Sequence, residues 1–284
     1  MNDKEEEREE KRASIALFIG MGSFILLTQI IALLLAAPFD LAGVTAFENP
    51  EDPLNPIIFF IFIIAFTAFI LVVLRFGGKR LVYFVMLAAV TITIYYVMYA
   101  LFHPNVYLPV VSTLALALIL FKYPEWYVLD ATGLIIGGGA AAIFGISLGI
   151  LPVLLLLIIL AVYDAIAVYK TKHMVSLAES VIDLRMPILF VLPRKWSFSL
   201  MKGDEMEDGF FMGLGDAIIP SVLVVSAFVT YELATPTLGA LIGTLAGYAV
   251  LSTIAGRGKP HAGLPFLNSG AILGFAIGYM VMGV

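Results

Sequence analysis

Nine apolar runs of roughly membrane-spanning length constrain this chain more than any other feature. They cover 13–37, 54–74, 81–102, 106–121, 126–148, 151–169, 210–231, 236–255 and 264–283. A bilayer core takes about 20 apolar residues per helix, so these runs use up most of the 284 residues. Composition agrees, at 61% hydrophobic and only 13% charged, where soluble domains are about half apolar and about a quarter charged. The expected fold is therefore all-α, a polytopic membrane protein with nine transmembrane helices. It divides into an acidic cytoplasmic tail (1–12), helices one to six (13–169), a cytoplasmic loop (170–209) and helices seven to nine (210–284). The net charge of −5 says little, because six acids crowd into the first ten residues. That tail has no apolar core, so it is not a cleaved signal peptide, and it reads as solvated and frayed. With no cysteine, thiol chemistry and disulfides are excluded.

The basic residues test the helix count. Lys4, Arg8, Lys11 and Arg12 precede the first run; Arg75, Lys79 and Arg80 lie between the second and third; Lys122 lies between the fourth and fifth. Lys170, Lys172, Arg185, Arg194, Lys195 and Lys202 fill the long connection, and Arg257 and Lys259 separate the last two runs. Nine alternating helices put all sixteen on one side. The opposite connection, Pro38–Pro53, holds Asp40, Glu48, Glu51 and Asp52 instead. By the positive-inside rule, the N-terminus is expected in the cytoplasm and the C-terminus outside. The spacings Gly133/Gly137, Gly239/Gly243/Gly247 and Gly270/Gly274/Gly278 predict close helix packing.

Two carboxylates fall well inside the apolar runs. Asp164, in "AVYDAIAVY", is six residues before Lys170; Asp216, in "MGLGDAIIP", is eight residues after Asp208. At 1.5 Å per residue both lie roughly 9–12 Å below the inner boundary. They sit on consecutive helices running in opposite directions, so neighbouring helices would bring them face to face. Buried unpaired charge is costly, but two facing carboxylates can share one proton. The ionised member can then take a proton from a water, while the protonated member donates to the peptide carbonyl under attack. Gly213 and Gly215 carry no side chains, so a substrate backbone could approach Asp216 closely. Taken alone, "GLGD" fits a helix-start turn equally well. At the same depth, "AGLPFLNSG" breaks at Pro265, which either frees backbone groups to hold an extended substrate or simply starts a capped helix. Asp130 reads as an interfacial or packing acid nearer the surface, and Glu232 as solvated.

These elements together resemble the presenilin family of intramembrane aspartyl proteases. The matching residues are Tyr163-Asp164, Gly213-Leu214-Gly215-Asp216 and Leu264-Pro265, the last standing where the family's Pro-Ala-Leu-Pro motif begins helix nine. Nine helices and a long six-to-seven loop match as well, so the resemblance covers essentially the whole chain. Ala262-Gly263 replace the motif's first two residues. Signal peptide peptidases are the nearest relatives and share the "GLGDAIIP" pattern, but they insert with the N-terminus outside. The basic-residue map favours the presenilin orientation. The resemblance implies Asp164 and Asp216 as catalytic residues, with Tyr163, Gly213, Leu214, Gly215, Gly263, Leu264 and Pro265 contacting substrate. It also implies single-span membrane proteins or peptides as substrates, a lipid bilayer as surroundings, no metal or other cofactor, no nucleic acid, and room for a homo-oligomer. Short loops and the lack of cysteine point to a prokaryotic, archaeal homologue acting as a single chain.

Other readings use the same residues. An ion-coupled transporter or cation channel also needs intramembrane aspartates and glycine-broken helices, although no internal repeat is present. Gly145-Ile146-Ser147-Leu148-Gly149 matches G-x-S-x-G, with His103 on the same side, but that motif needs a strand-to-helix elbow. His103, His173 and His261 are dispersed and form no H-E-x-x-H. In the long loop, Met186–Pro193 is apolar. Either Ile188, Leu189 and Phe190 pack at the membrane interface, or the segment is a tethered plug of the active site. The second reading borrows from the resemblance, and Pro187 and Pro193 would keep such a segment extended.

Overall fold

The structure is a computed structural model that describes residues 3–171, 188–194, 198–201, 209–255 and 261–283. Among these residues there are nine α-helices. They are α1 (Asp3–Leu41), α2 (Asn55–Arg75), α3 (Lys79–Phe102), α4 (Tyr107–Lys122), α5 (Trp126–Ser147), α6 (Ile150–Ile166), α7 (Leu214–Tyr231), α8 (Thr235–Ala255) and α9 (Leu264–Met282). Eight are long and apolar enough to cross a membrane, while α4 is apolar but only 16 residues long. The first helix starts at Asp3 rather than after a frayed tail, as suits a run of Glu, Lys and Arg, all good helix formers.

Two features depart from an all-helical reading. Helix α6 gives way to a π-helical turn over Ala167–Thr171. The residues expected to open helix seven instead form a strand. Here β1 (Leu189–Pro193) pairs antiparallel with β2 (Gly209–Gly213), with Val191 opposite Phe211 and Leu189 opposite Gly213. Both strands are short and apolar, and a short apolar run does not reveal its own secondary structure.

Helices α5 and α7 form the centre. α5 packs on α1, α3 and α7, and α7 also touches α6, α8 and α9. Glycine makes this possible on α5: a side chain at Gly138 would meet Ile31, at Gly139 Val97, and at Gly145 Val225. The predicted zipper is present between α8 and α9, where Gly239 lies against the backbone of Gly274 and Gly243 against that of Gly270. Two apolar clusters fill the interior. One includes Ile25, Ala32, Ile94 and Phe190; the other includes Leu156, Leu157, Leu160, Val222 and Leu223. The outward faces stay apolar, as Ile61, Phe62 and Phe69 of α2 show, which water would penalise and lipid would not.

Candidate active site

Asp164 lies in the last turn of α6 and is only 6% exposed. Its Oδ2 accepts the backbone N–H of Leu264 at 3.1 Å, and the amide of Gly263 also reaches it. Asp216 occupies the first turn of α7, directly after β2 ends at Gly213. A Cβ at Gly263 would stand 2.7 Å from Asp216 Oδ1 and 2.8 Å from its Cγ. Both carboxylates therefore converge on residues 263–264, close enough for their charges to interact.

The surroundings account for the tolerance of charge. Asp216 sits in the positive N-terminal turn of its own helix, and Asp164 accepts from the N-terminal turn of α9. Unsatisfied N–H groups and the helix dipole favour an anion at both places. The hinge between α6 and α9 is held a second time, because the Ala262 N–H donates to the Tyr169 hydroxyl at 3.3 Å and that hydroxyl lies 3.4 Å from His261 Nδ1. Tyr169 belongs to the π-turn.

The other expected site residues divide. A Cβ on Gly215 would meet nothing within 4 Å, and one on Gly213 would meet only Asp216 Oδ2, at 3.6 Å. Both glycines therefore leave open space beside the carboxylate. Leu264 borders the site through its backbone. Tyr163 turns towards α2, its ring 5.5 Å from that of Phe60 in an edge-on contact. Leu214 is buried, with a methyl group 3.1 Å from where a Cβ on Gly133 would stand. Pro265 lines the outward groove between α8 and α9 together with Gly243 and Gly247. The structure does not bring these last three side chains to the carboxylates.

Two acids at the start of α5, Asp130 and the N-cap Glu125, hold the six-to-seven connection. Asp130, expected near the surface, is 5% exposed, and its Oδ1 accepts the Val191 N–H at 2.7 Å. Glu125 accepts the Ser199 hydroxyl at 2.6 Å and the Leu200 N–H at 3.1 Å. The apolar loop segment, read from the sequence as interface packing or a tethered plug, forms a strand in its described part. Leu189–Pro193 enters the sheet, and Phe190 is fully buried and stacked on Phe24 at 4.7 Å. Met186, Pro187 and His173 lie outside the described residues. Ser147 is buried and committed to backbone, donating to the Ile143 carbonyl and accepting the Ala46 N–H, so the G-x-S-x-G reading loses its nucleophile.

Comparison with known proteins decides the family. Residues 21–284 match the profile described as "Signal-peptide peptidase, presenilin aspartyl protease". The chain belongs to this family. A solved structure of a presenilin family intramembrane aspartate protease, in space group C222, is similar at 40% identity and a TM-score of 0.71, covering 93% of this chain and 99% of the other. A structure of such a protease in space group P2 is similar at 42% identity and a TM-score of 0.70, covering 92% and 97%. No curated protein matches the chain significantly. As a family member, the protein is a multi-pass intramembrane aspartyl protease, and the transporter reading finds no support in these comparisons.

Proposed function

We propose that Asp164 and Asp216 are the catalytic pair with which this presenilin-family protease hydrolyses peptide bonds of membrane-spanning substrates. The observation that carries this is the convergence of the two carboxylates on Gly263–Leu264. One carboxylate takes a proton from water as the oxygen attacks the peptide carbon; the other, protonated, donates to the carbonyl oxygen. Collapse of the tetrahedral intermediate breaks the C–N bond, and the departing amine takes a proton from the pair.

The edge of β2 supports an extended substrate. The Val191 N–H points to Asp130, away from β2, and the Leu214 N–H donates to the Ile188 carbonyl at 3.0 Å. Strand groups alternate in direction, so Phe211 and Gly213 present their N–H and C=O on the side away from β1. A substrate strand added there would lay its backbone along Gly213, beside Asp216. Gly213, Gly215, Gly263 and Leu264 then form the substrate wall, with Tyr163, Leu214 and Pro265 supporting it. We assign the cytoplasmic side to the N-terminus from the distribution of basic residues.

The test is incubation of purified protein with a single-span membrane substrate, with and without Asp164→Ala. Cleavage should vanish with the substitution. Cleavage that persists in the variant overturns the assignment.

A further inference from the structure

The dyad mechanism has no use for Asp130, yet this is a buried carboxylate in the middle of the protein's packing. Its Oδ1 holds the Val191 N–H at 2.7 Å, while its Oδ2 is buried with no hydrogen-bond partner among the described residues. A half-satisfied carboxylate is a poor stabiliser, because its desolvation cost is offset by one bond only. Its placement is specific, however. Val191 is the middle residue of β1 and stands opposite Phe211, the middle residue of β2. Two residues beyond Phe211 the strand ends at Gly213, and α7 with Asp216 begins.

We infer that Asp130 is a positioning residue for catalysis: by binding the outward N–H of Val191 it fixes β1 on α5, and through the β1–β2 register it sets Gly213 and Asp216. Three consequences of the geometry support this. A carboxylate on β1's outer edge closes that edge, leaving β2 as the side open to an added strand. A one-residue slip of a strand sends every side chain to the opposite face, so a fixed point on β1 protects the burial of Phe190 and the outward setting of the Gly213 backbone. Glu125, five residues earlier, ties Ser199 and Leu200 to the start of the same helix, so the six-to-seven connection is strapped to α5 at two points. In this role the connection is a permanent wall of the active site.

The kinetic part of this inference rests on the proteolytic reading; the structural part does not. Asp130→Leu keeps the branched shape at the γ carbon, removes the acceptor and takes away the unpartnered Oδ2 at the cost of a larger side chain, so thermal unfolding in detergent should stay within a few degrees of wild type. Hydrogen exchange read by mass spectrometry should accelerate in 189–193 and 209–213 and remain unchanged in 126–147. The kcat on a single-span substrate should fall about tenfold, as expected of a displaced reacting group, with KM little changed and the cleavage positions spread over neighbouring bonds. Asp130→Asn retains an acceptor oxygen and should keep most of the wild-type kcat. Val191→Pro attacks the same bond from the other partner, since only an N–H outside the β1–β2 ladder is lost, and should reproduce the kinetic loss if the leucine variant does not fold. Wild-type exchange and wild-type kcat in the folded leucine or proline variant overturn the inference, as does an asparagine variant as impaired as the leucine one. A wild-type protein that cleaves nothing would sink the proteolytic reading instead, and the exchange comparison would still decide the strap.

Discussion

Gly263→Ala is expected to damage this enzyme, although it moves the sequence towards the Pro-Ala-Leu-Pro pattern of the resembled family. Gly263 has φ −81° and ψ −46°, an ordinary right-handed helical conformation, so alanine meets no backbone strain there. Its added methyl would lie 2.7 Å from Asp216 Oδ1, 2.8 Å from Oδ2 and 2.8 Å from Cγ. Comfortable contact between such atoms needs roughly 3.5 Å, so the two groups must separate by roughly 0.7 Å. Asp216 has a short side chain on a packed helix and can yield only by leaving the position it shares with Asp164. If the start of α9 yields instead, the Leu264 N–H withdraws from Asp164, where it now donates at 3.1 Å. Either movement displaces a reacting group. A 1 Å misplacement can cost about a hundredfold in rate, so a loss of about tenfold in kcat is expected here, equivalent to about 1.4 kcal/mol of barrier. Stability should change little, because alanine also restricts the unfolded chain by about 0.4–1 kcal/mol, which offsets part of the crowding. The assay is steady-state cleavage of a single-span substrate in proteoliposomes, with kcat and KM separated and the melting temperature measured on the same preparation. A variant with wild-type kcat would refute the placement of Asp216 against Gly263.

Asp164→Asn and Asp216→Asn should each abolish cleavage in a folded protein, and the double variant should be scarcely worse than either single one, because members of one catalytic unit are not additive. Activity assayed from pH 4 to 9 should pass through a maximum, as a pair that works with one shared proton fails when it holds none or two; a rate that rises throughout would contradict the dyad. Deleting Met186–Pro193 should eliminate most activity, since it removes β1 and the N–H held by Asp130; faster cleavage of added substrate after the deletion would reinstate the tethered plug.

Much of the helical frame was legible because long apolar runs and glycine spacing speak for themselves. The boundaries of α2, α5 and α9 differ from the sequence expectation by one residue at most. The two aspartates stood out for the same reason, as charges inside such runs. The strands did not. Phe210–Gly213 continues the apolar character of α7 without a break, and nothing local separates the two. Only Pro187 and Pro193 hinted at extended backbone around β1. Asp130, near the start of α5, reads from the sequence as an interfacial or packing acid, and position along a helix alone does not reveal that it is buried. Strand β1 lies against α5 and covers that carboxylate, a long-range contact that sequence periodicity cannot report. Pro265 lines the groove between α8 and α9, and the contact to Asp164 at this break is made by the backbone of its neighbour Leu264, which a side-chain motif does not announce.

A bilayer tolerates irregular backbone only where protein or enclosed water satisfies it, and in this protein the irregularities gather around the carboxylates. Just past Asp164, α6 loosens into the π-turn of Ala167–Thr171. Before Asp216, the chain is a strand rather than a helix, and Pro220, four residues further on inside α7, lacks the N–H that would bond the Asp216 carbonyl. At Gly263, α9 begins with N–H groups that have no helical acceptor, one of which goes to Asp164. Each break alone resembles an ordinary helix end. Together they supply backbone donors for Asp164, a helix N-terminus for Asp216, and the space that Gly213 and Gly215 leave beside Asp216. A peptide bond within a helix is shielded by its own hydrogen bonds, so a protease of this kind must unwind its substrate before water can attack. On the proposed reading, backbone groups outside regular helix would give the unwound segment replacement partners, and the breaks in regular helix lie beside the two aspartates.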